Sequence, residues 1–366
     1  MKPHIIAFYL PQFHSIPEND VWWGNGFTDW VNVRKAKPIF KGHNQPRIPL
    51  NNNYYDLSKP ETLRWQASLA NEYGIYGMCF YHYWFNGKML LEKPAELLLQ
   101  NTDIPMRFCF SWANEPWART WDGKNHQILM PQSYGDEKDW EQHFRYLLPF
   151  FKDDRYIKEN GCPMFLIYKS KSIPCALQMM NLWNKLAKDS GFSGMHFVQT
   201  LTRKSNVPQD LPFKAQVEFE PTRTNMQQPP IILNYKRVRR YFLKAVNHLL
   251  GTSYPLNRPF IFAKVAKRSI ELASSEGTYG GIFVGWDNTP RRELTATIVG
   301  LPTKQEFKDY LQAKVNQTQN IYKTNYLFIN AWNEWAEGTV LEPDEQHKYM
   351  YLEAIREVLK QTEVLS

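Results

Sequence analysis

Two carboxylates three residues apart, Glu334 and Glu337, stand in the segment Leu327-Phe-Ile-Asn-Ala-Trp-Asn-Glu-Trp-Ala-Glu-Gly-Thr339. They follow an apolar run, Tyr326 to Ile329, of the kind that forms a buried strand. On a helical turn, residues at this spacing lie about 5–6 Å apart at Cβ. Carboxyl groups about 5–5.5 Å apart are the arrangement that lets glycosidases retain anomeric configuration. Two such groups resist ionising together, so one keeps a proton for a leaving group while the other stays a base. Glu-x-x-Glu is also common on solvated helices. Here, however, Trp332, Asn333, Trp335 and Gly338 surround the pair, and indoles offer flat apolar faces to the C–H faces of a sugar. The segment reads as the floor of a glycan-processing site.

Other chemistry-bearing residues fall in clusters that each follow a predicted strand. Tyr9 opens a stretch that includes Trp22, Trp23, Gly24, Gly26, Phe27, Asp29 and Trp30. His82, Tyr83 and Trp84 end the second strand, and Trp112, Asn114, Glu115 and Trp117 end the third. Trp286, Asp287, Arg291 and Arg292 follow the seventh. Glu115, in an Asn-Glu-Pro context, is a rival acid/base, with Glu334 or Glu337 then the nucleophile of an ordinary double displacement. Otherwise it holds sugar hydroxyls. His82 can contact a hydroxyl or be a bonded core histidine. Arg291 and Arg292 can meet an acidic sugar or pair with Asp287. The histidines are scattered without ligand spacing, so no metal site is expected. Neither Asp-x-Asp nor a complete Gly-x-Gly-x-x-Gly occurs, which disfavours a metal-held nucleotide-sugar site and a dinucleotide fold. No cofactor and no nucleic-acid partner are expected.

These residues need elements to position them. Strand-like runs are Ile5–Leu10, Gly77–Tyr81, Met106–Phe110, Met164–Tyr168, His196–Thr200, Ala215–Phe219, Gly281–Gly285 and Tyr326–Ile329. Helical patterns lie between them: Pro60–Tyr73, Glu92–Gln100, Glu137–Phe151, Ala176–Lys188, Tyr235–Leu250, Lys304–Lys314 and His347–Leu359. Eight continuous apolar strands alternating with helices predict a parallel sheet, and eight closes a (β/α)₈ TIM barrel with its site at the C-terminal strand ends. No linker composition interrupts the chain. The expectation is an α/β fold with residues 1–366 as one barrel domain, long βα loops, and an insertion at about 11–60 between strands 1 and 2.

The chain has 366 residues, 22% charged and 43% hydrophobic, with no low-complexity tract. It is globular in composition. Aromatic residues reach 15%, with 13 Trp, more than a core readily absorbs, which favours an aromatic-lined cleft. No signal-like segment and no run of 18 apolar residues occurs. Cys79, Cys109, Cys162 and Cys175 lack metal or disulfide patterning, so a cytoplasmic location is expected. The formal charge of +8 suggests an acidic partner without identifying it. Part of it lies in Tyr235–Leu250, where Tyr235, Val238, Phe242, Ala245 and Leu249 form a helical stripe with Lys236, Arg237, Arg239 and Arg240 largely off it. This reads first as a helix docked on the barrel by its stripe. Peripheral contact with an anionic membrane, or with a charged or lipid-linked glycan, is the alternative.

Taken together, the blocks Tyr9-Leu-Pro-Gln-Phe-His14, Trp22-Trp-Gly-Asn-Gly-Phe-Thr-Asp-Trp30, Tyr81-His-Tyr-Trp-Phe85, Trp112-Ala-Asn-Glu-Pro-Trp117, Trp286-Asp-Asn-Thr-Pro-Arg-Arg292 and Asn330-Ala-Trp-Asn-Glu-Trp-Ala-Glu-Gly338 resemble WbsX-type proteins. These belong to the wider group related to glycoside hydrolase family 99. The resemblance runs from Ile5 to about Pro343. It implies a barrel acting on an oligo- or polysaccharide, typically in bacterial surface-glycan (O-antigen, lipopolysaccharide) biosynthesis. It further implies retaining, endo-acting cleavage at α-manno or α-rhamno sugars through a 1,2-anhydro sugar. Glu334 would then be the base on the 2-hydroxyl and Glu337 the acid, with Glu115 and the aromatic residues above binding substrate. The chain departs from family 99 hydrolases at Ala336, where they commonly carry His. Because WbsX-type proteins are often labelled glycosyltransferases, transfer is the alternative to hydrolysis. A non-catalytic glycan-binding barrel is a second.

Overall fold

The computed structural model describes residues 3–121, 125–202, 210–226 and 230–364. Eight parallel strands form a closed barrel: β1 (His4–Tyr9), β2 (Gly77–Phe85), β3 (Phe108–Trp112), β4 (Cys162–Ile167), β5 (His196–Leu201), β6 (Ala215–Glu218), β7 (Thr278–Phe283) and β8 (Tyr326–Asn330). Each strand pairs with its neighbours in chain order, and β1 closes the ring by pairing with both β8 and β2. The register His4↔Tyr326 and Ile6↔Gly77 sets that seam. The strands are covered on both faces, which is why they read as unbroken apolar runs rather than alternating ones. Aromatic rings fill the interior; Phe8 packs edge-on against Phe219 at 5.2 Å and lies 5.5 Å from Phe328.

The surrounding helices are α1 (Pro17–Trp23), α2 (Asp29–Lys35), α3 (Pro60–Glu72), α4 (Lys93–Gln100), α5 (Glu137–Lys152), α6 (Ala176–Asp189), α7 (Thr222–Met226), α8 (Pro230–Leu250), α9 (Phe262–Glu271), α10 (Thr289–Arg292), α11 (Lys304–Asn320) and α12 (Met350–Val364). Their starts follow from local chemistry. Asp136 caps α5 by accepting from the backbone N–H groups of Lys138 and Asp139, and Thr303 forms a capping box with Glu306 on α11. α5 buries His143, Phe144, Leu147, Phe150 and Phe151, one helical stripe turned to the barrel. Pro60 begins α3 at a position that needs no N–H.

All eight expected strands and the seven expected helical patterns are present. Three features depart from expectation. Strict alternation fails between β5 and β6, where no helix lies among the described residues. The segment from β1 to α3 is structured, holding α1 and α2. The stripe expected to dock α8 faces outward instead: Val238, Phe242 and Leu249 are exposed, whereas Lys236, Arg239, Leu243 and Val246 are part-buried. Two cations therefore sit on the inner side of this helix and the apolar stripe on the outer side.

Close packing on β7 explains two glycines. A Cβ on Gly280 would stand 2.1 Å from Thr318 Oγ1 of α11, and one on Gly281 would stand 2.0 Å from the carbonyl oxygen of Glu218. Behind them lies a buried charge network. Lys314 of α11 donates to Glu218 Oε2 at 2.8 Å and to Ser269 O at 3.0 Å, with both charged side chains inaccessible. Arg223 stands 3.4 Å from both Glu218 and Glu220, and Tyr322 and Ser274 donate to Glu218. Burial alone raises the Glu218 carboxyl, but Lys314 and Arg223 bring it below its ordinary value. Removing one partner of such a pair strands a buried charge. Lys314→Met should therefore destabilise the fold by about 3–5 kcal/mol in denaturant titration. A loss below about 1 kcal/mol would show that Arg223 alone satisfies Glu218.

Candidate active site

The floor of the site is the turn after β8. Asn333 and Glu334 pair antiparallel with Thr339 and Val340, and a 3₁₀ turn, Trp335–Glu337, joins the two pieces. Gly338 closes it at φ 65°, where an added Cβ would meet the Asp287 backbone at 2.8 Å. The two carboxylates thus leave a strand end and a tight turn, not the α-helical turn their spacing suggests. Asn333 accepts from Leu10 N at 2.7 Å and donates to Leu10 O at 3.0 Å, which ties the turn to the end of β1.

Beneath the turn lies Glu342, a buried carboxylate absent from the sequence reading. Trp335 Nε1 (2.7 Å), Tyr55 (2.8 Å) and Gln66 (2.7 Å) all donate to it. Burial pushes its carboxyl up to about 7 in spite of those donors.

Arg291 of α10 organises the charges above. It donates to Asp29 Oδ2 of α2 at 2.7 Å and to Glu337 Oε1 at 3.0 Å, and lies 3.8 Å from Glu334 Oε2. Burial, and then Glu337, push the Glu334 carboxyl well above its ordinary value, while Arg291 offsets this only in part. Glu334 Oε2 is buried and has no hydrogen-bond partner among the described residues. Burial also raises Glu337, with Arg291 pulling it back through charge and a hydrogen bond. The more exposed carboxyl is Glu337, at 25% against 7% for Glu334. Burial therefore favours a proton on Glu334, while the hydrogen bond from Arg291 favours the charged form of Glu337.

Glu337 opens into a cavity of about 930 Å³. Its lining includes Tyr81, Tyr83, Trp117, Tyr168, Phe219 and Trp286, together with the cations Lys236, Arg239, Arg240, Arg258 and Arg292. Glu115 stands on its wall, half-exposed and ion-paired with Lys169. A pocket this large, with apolar walls and a few convergent polar groups, is what a ligand site requires. Among the described residues, no three His, Cys, Asp or Glu side chains gather as metal ligands.

Of the residues singled out from sequence, Glu337, Arg291, Glu115, Tyr83, Trp117 and Trp286 converge on this cavity or its carboxylates. Others are wall and support. Tyr9 is buried and donates to Gln66. His82 is bonded to His143 at 2.7 Å, and burial lowers it to about 3, so the ring is neutral and part of the core. Trp84 stacks on His143 at 4.4 Å, and Trp112 donates to Trp84 O. Asn114 bonds to the backbone of Lys169, and Asp287 accepts from His43 and Gln45. Trp23 packs beside Phe27 away from the cavity. Trp332 and Trp335 are fully buried, so they stiffen the floor rather than offer faces to a sugar. Asp29, Tyr168 and the part-buried cations of α8 were not singled out for the site. Asp29 stood in the aromatic block ending at Trp30; a lone Tyr after β4 carries no comparable signal.

Comparison with known proteins places this geometry. The family model described as glycosyltransferase WbsX matches residues 5–355. An uncharacterized protein, WxcX of Xanthomonas campestris pv. campestris (strain B100), is 38% identical over 360 residues, covering 97% of this chain and 49% of the relative. The chain thus spans about half the length of the curated relatives it matches. Its structure is similar to that of a GH99 endo-alpha-mannosidase from Bacteroides thetaiotaomicron in complex with bis-tris-propane, at TM-score 0.60 and 15% identity over 99% of both chains. It is also similar to a glycoside hydrolase-like protein, at TM-score 0.59 and 12% identity over 98% of this chain and 94% of the other. At such identities the structural likeness establishes the barrel.

Two expectations follow from the charges. Because Arg291 lowers both Glu334 and Glu337, Arg291→Met should move both carboxyl midpoints upward in a ¹³C NMR titration of the glutamate carboxyls. Unmoved midpoints would remove Arg291 from the electrostatics of the pair. For Glu342, folding takes up a proton because its folded midpoint, about 7, lies above the ordinary 4.5. Its contribution is therefore fully present below the unfolded value and lost as pH rises through about 7. The stability of wild type relative to Glu342→Gln should decline across that window. A difference independent of pH would show that Glu342 is not raised.

Proposed function

We propose that this chain, which belongs to the WbsX family, is a carbohydrate-active enzyme that cleaves or transfers glycan chains with retention at the anomeric carbon. The observation that carries this reading is the pair of buried Glu334 and part-buried Glu337, raised together and sharing Arg291 on the floor of a large aromatic cavity. The fold shared with a GH99 endo-alpha-mannosidase is consistent with it. The substrate we propose is a bacterial surface polysaccharide of α-manno or α-rhamno configuration, where the 2-hydroxyl can attack from the face opposite the leaving group. The volume of the cavity suits several sugar units and hence endo action.

In the proposed reaction one glutamate takes the proton of the 2-hydroxyl as O2 attacks C1. The bond from C1 to the departing oxygen breaks, and the other glutamate gives that oxygen its proton. Water, or an acceptor hydroxyl, then adds at C1 of the 1,2-anhydro sugar and loses a proton to the second glutamate. The C1–O2 bond breaks, and O2 recovers a proton from the first. Two inversions give net retention. The position of Glu337 on the cavity wall suits the acid that must reach the departing oxygen, leaving Glu334 as base at the floor. The contacts of the two carboxylates favour the opposite allocation, since Arg291 binds Glu337 and Glu334 Oε2 has no donor among the described residues. Glu115, neutralised by Lys169, fits substrate binding better than acid catalysis.

Leaving-group chemistry separates the roles. We expect Glu337→Gln to lose roughly 10²-fold or more in kcat on mannan or rhamnan oligomers, in line with general acid catalysis. It should retain much of its rate on an aryl glycoside whose leaving group needs no proton, whereas Glu334→Gln should be slow on both. The reverse pattern assigns the acid to Glu334. If neither substitution changes turnover, the pair is not catalytic and the glycan-binding reading stands. One observation favours a transferase as the second reading: the cations on the cavity wall suit a phosphorylated donor. Labelled sugar passing from a nucleotide donor, with no hydrolysis, would decide for it.

A further inference from the structure

We propose that α8 is an interfacial helix that seats the mouth of the cavity on the surface of an anionic lipid bilayer. Among the described residues the apolar stripe of this helix is largely exposed: Tyr235 is 59% exposed, Val238 69%, Phe242 66% and Leu249 79%. Tyr241, on the same outer arc, is exposed as well. Contiguous apolar surface of this kind marks an interaction site. Beside the stripe run Arg237, Arg240 and Lys244, all exposed, and the helix contains no Asp or Glu.

That pattern selects the occupant. A symmetric contact with a second copy through this helix would bring two basic flanks together, with no acidic residue on the helix to compensate them. An anionic bilayer answers both halves of the face at once, taking the apolar arc below the headgroups and the basic flank among them. The two tyrosines lie on the arc, and amphipathic rings favour the interface. At about 1.5 Å per residue the helix is long enough to lie in the membrane plane as a stable contact. Among the described residues no helix is long and apolar enough to cross a membrane, so the contact would be peripheral.

The inner side of α8 gives the docking a purpose. Lys236 and Arg239, both part-buried, line the cavity that holds Glu337, which the exposed Tyr235 and Arg240 also border. Arg239 donates to Leu256 O and Arg240 to Asn257 Oδ1, neutral acceptors that leave the guanidinium charges uncancelled. One helix therefore faces the lipid on one side and the site on the other. A glycan held at the bilayer by an anionic lipid carrier would enter along cationic wall, directly from the surface. The docking itself rests on the exposed face and stands whatever reaction the carboxylates perform.

Flotation of the full chain tests it, using vesicles of phosphatidylcholine alone and vesicles with about one-third phosphatidylglycerol. Wild type should float with the mixed vesicles and much less with the neutral ones. Combining Arg237→Gln with Lys244→Gln should weaken partitioning roughly tenfold or more, since each juxtamembrane cation contributes about 1 kcal/mol. The triple substitution Val238→Ser, Phe242→Ser, Leu249→Ser should abolish flotation while leaving the thermal midpoint unchanged, because these side chains are already in water. Absence of wild-type flotation overturns the proposal, as does a triple variant that floats as well as wild type. A dimer in light scattering that the triple variant dissolves, with no vesicle binding, overturns it in favour of a second copy.

Discussion

One guanidinium carries more carboxylate than it can neutralise, and the chemistry of the site follows from that excess. Arg291 contacts Asp29 and Glu337 and lies near Glu334. Glu334 and Glu337 share that cation with Asp29, so ionising both glutamates would leave an uncompensated charge in a poorly solvated place. The arrangement therefore retains a proton, and a retained proton beside an ionised partner is what acid–base catalysis of glycosidic cleavage requires. Asp29 matters as much as the glutamates do. It holds Arg291 Nη2 while Glu337 holds Nη1, so the guanidinium is aimed rather than free to collapse onto one glutamate.

The three segments that meet at Arg291 come from distant parts of the chain. α2 belongs to the segment between β1 and β2, α10 follows β7, and the glutamates follow β8. The early segment grips the late one repeatedly. Arg47 bonds Asp344 and Gly338 O, His43 and Gln45 hold Asp287, and Trp30 packs against Trp335 at 5.5 Å. Tyr55 and Gln66 reach Glu342 from the same side. The rigidity of the floor comes from this clasp, and a site needs such support to hold its geometry.

Strand periodicity carried most of the architecture into the sequence. Parallel strands covered on both faces leave continuous apolar runs, and all eight were visible as such. The carboxylate pair was visible because Glu334 and Glu337 sit in a segment whose other residues are core-forming. Individual aromatic roles were not. Tyr9, Trp84, Trp112, Trp332 and Trp335 are of the same residue types as Tyr83, Trp117 and Trp286, and only the direction of each side chain from the wall separates support from lining. For His82 the deciding partner, His143, lies 61 residues away on α5. Nothing in the sequence singled out Glu218 or Glu342, since burial depends on partners that spacing does not reveal. The stripe of α8 was read correctly as apolar and helical, but periodicity cannot say whether such a face meets the barrel or something else.

The bond between Asn333 and Leu10 spans 323 residues of chain, and it has a consequence for the order in which this molecule comes into being. The first strand has its partner β8, and the clasp segment has the turn after β8, only after almost everything between them has been made. Contacts of such long range form late, because the loop they close must first be ordered. A growing chain can assemble β2 to β7 progressively, but Glu334 and Glu337 do not meet Arg291 and Asp29 until the seam shuts. The charge cluster is thus among the last things this molecule builds, coincident with closure of the barrel.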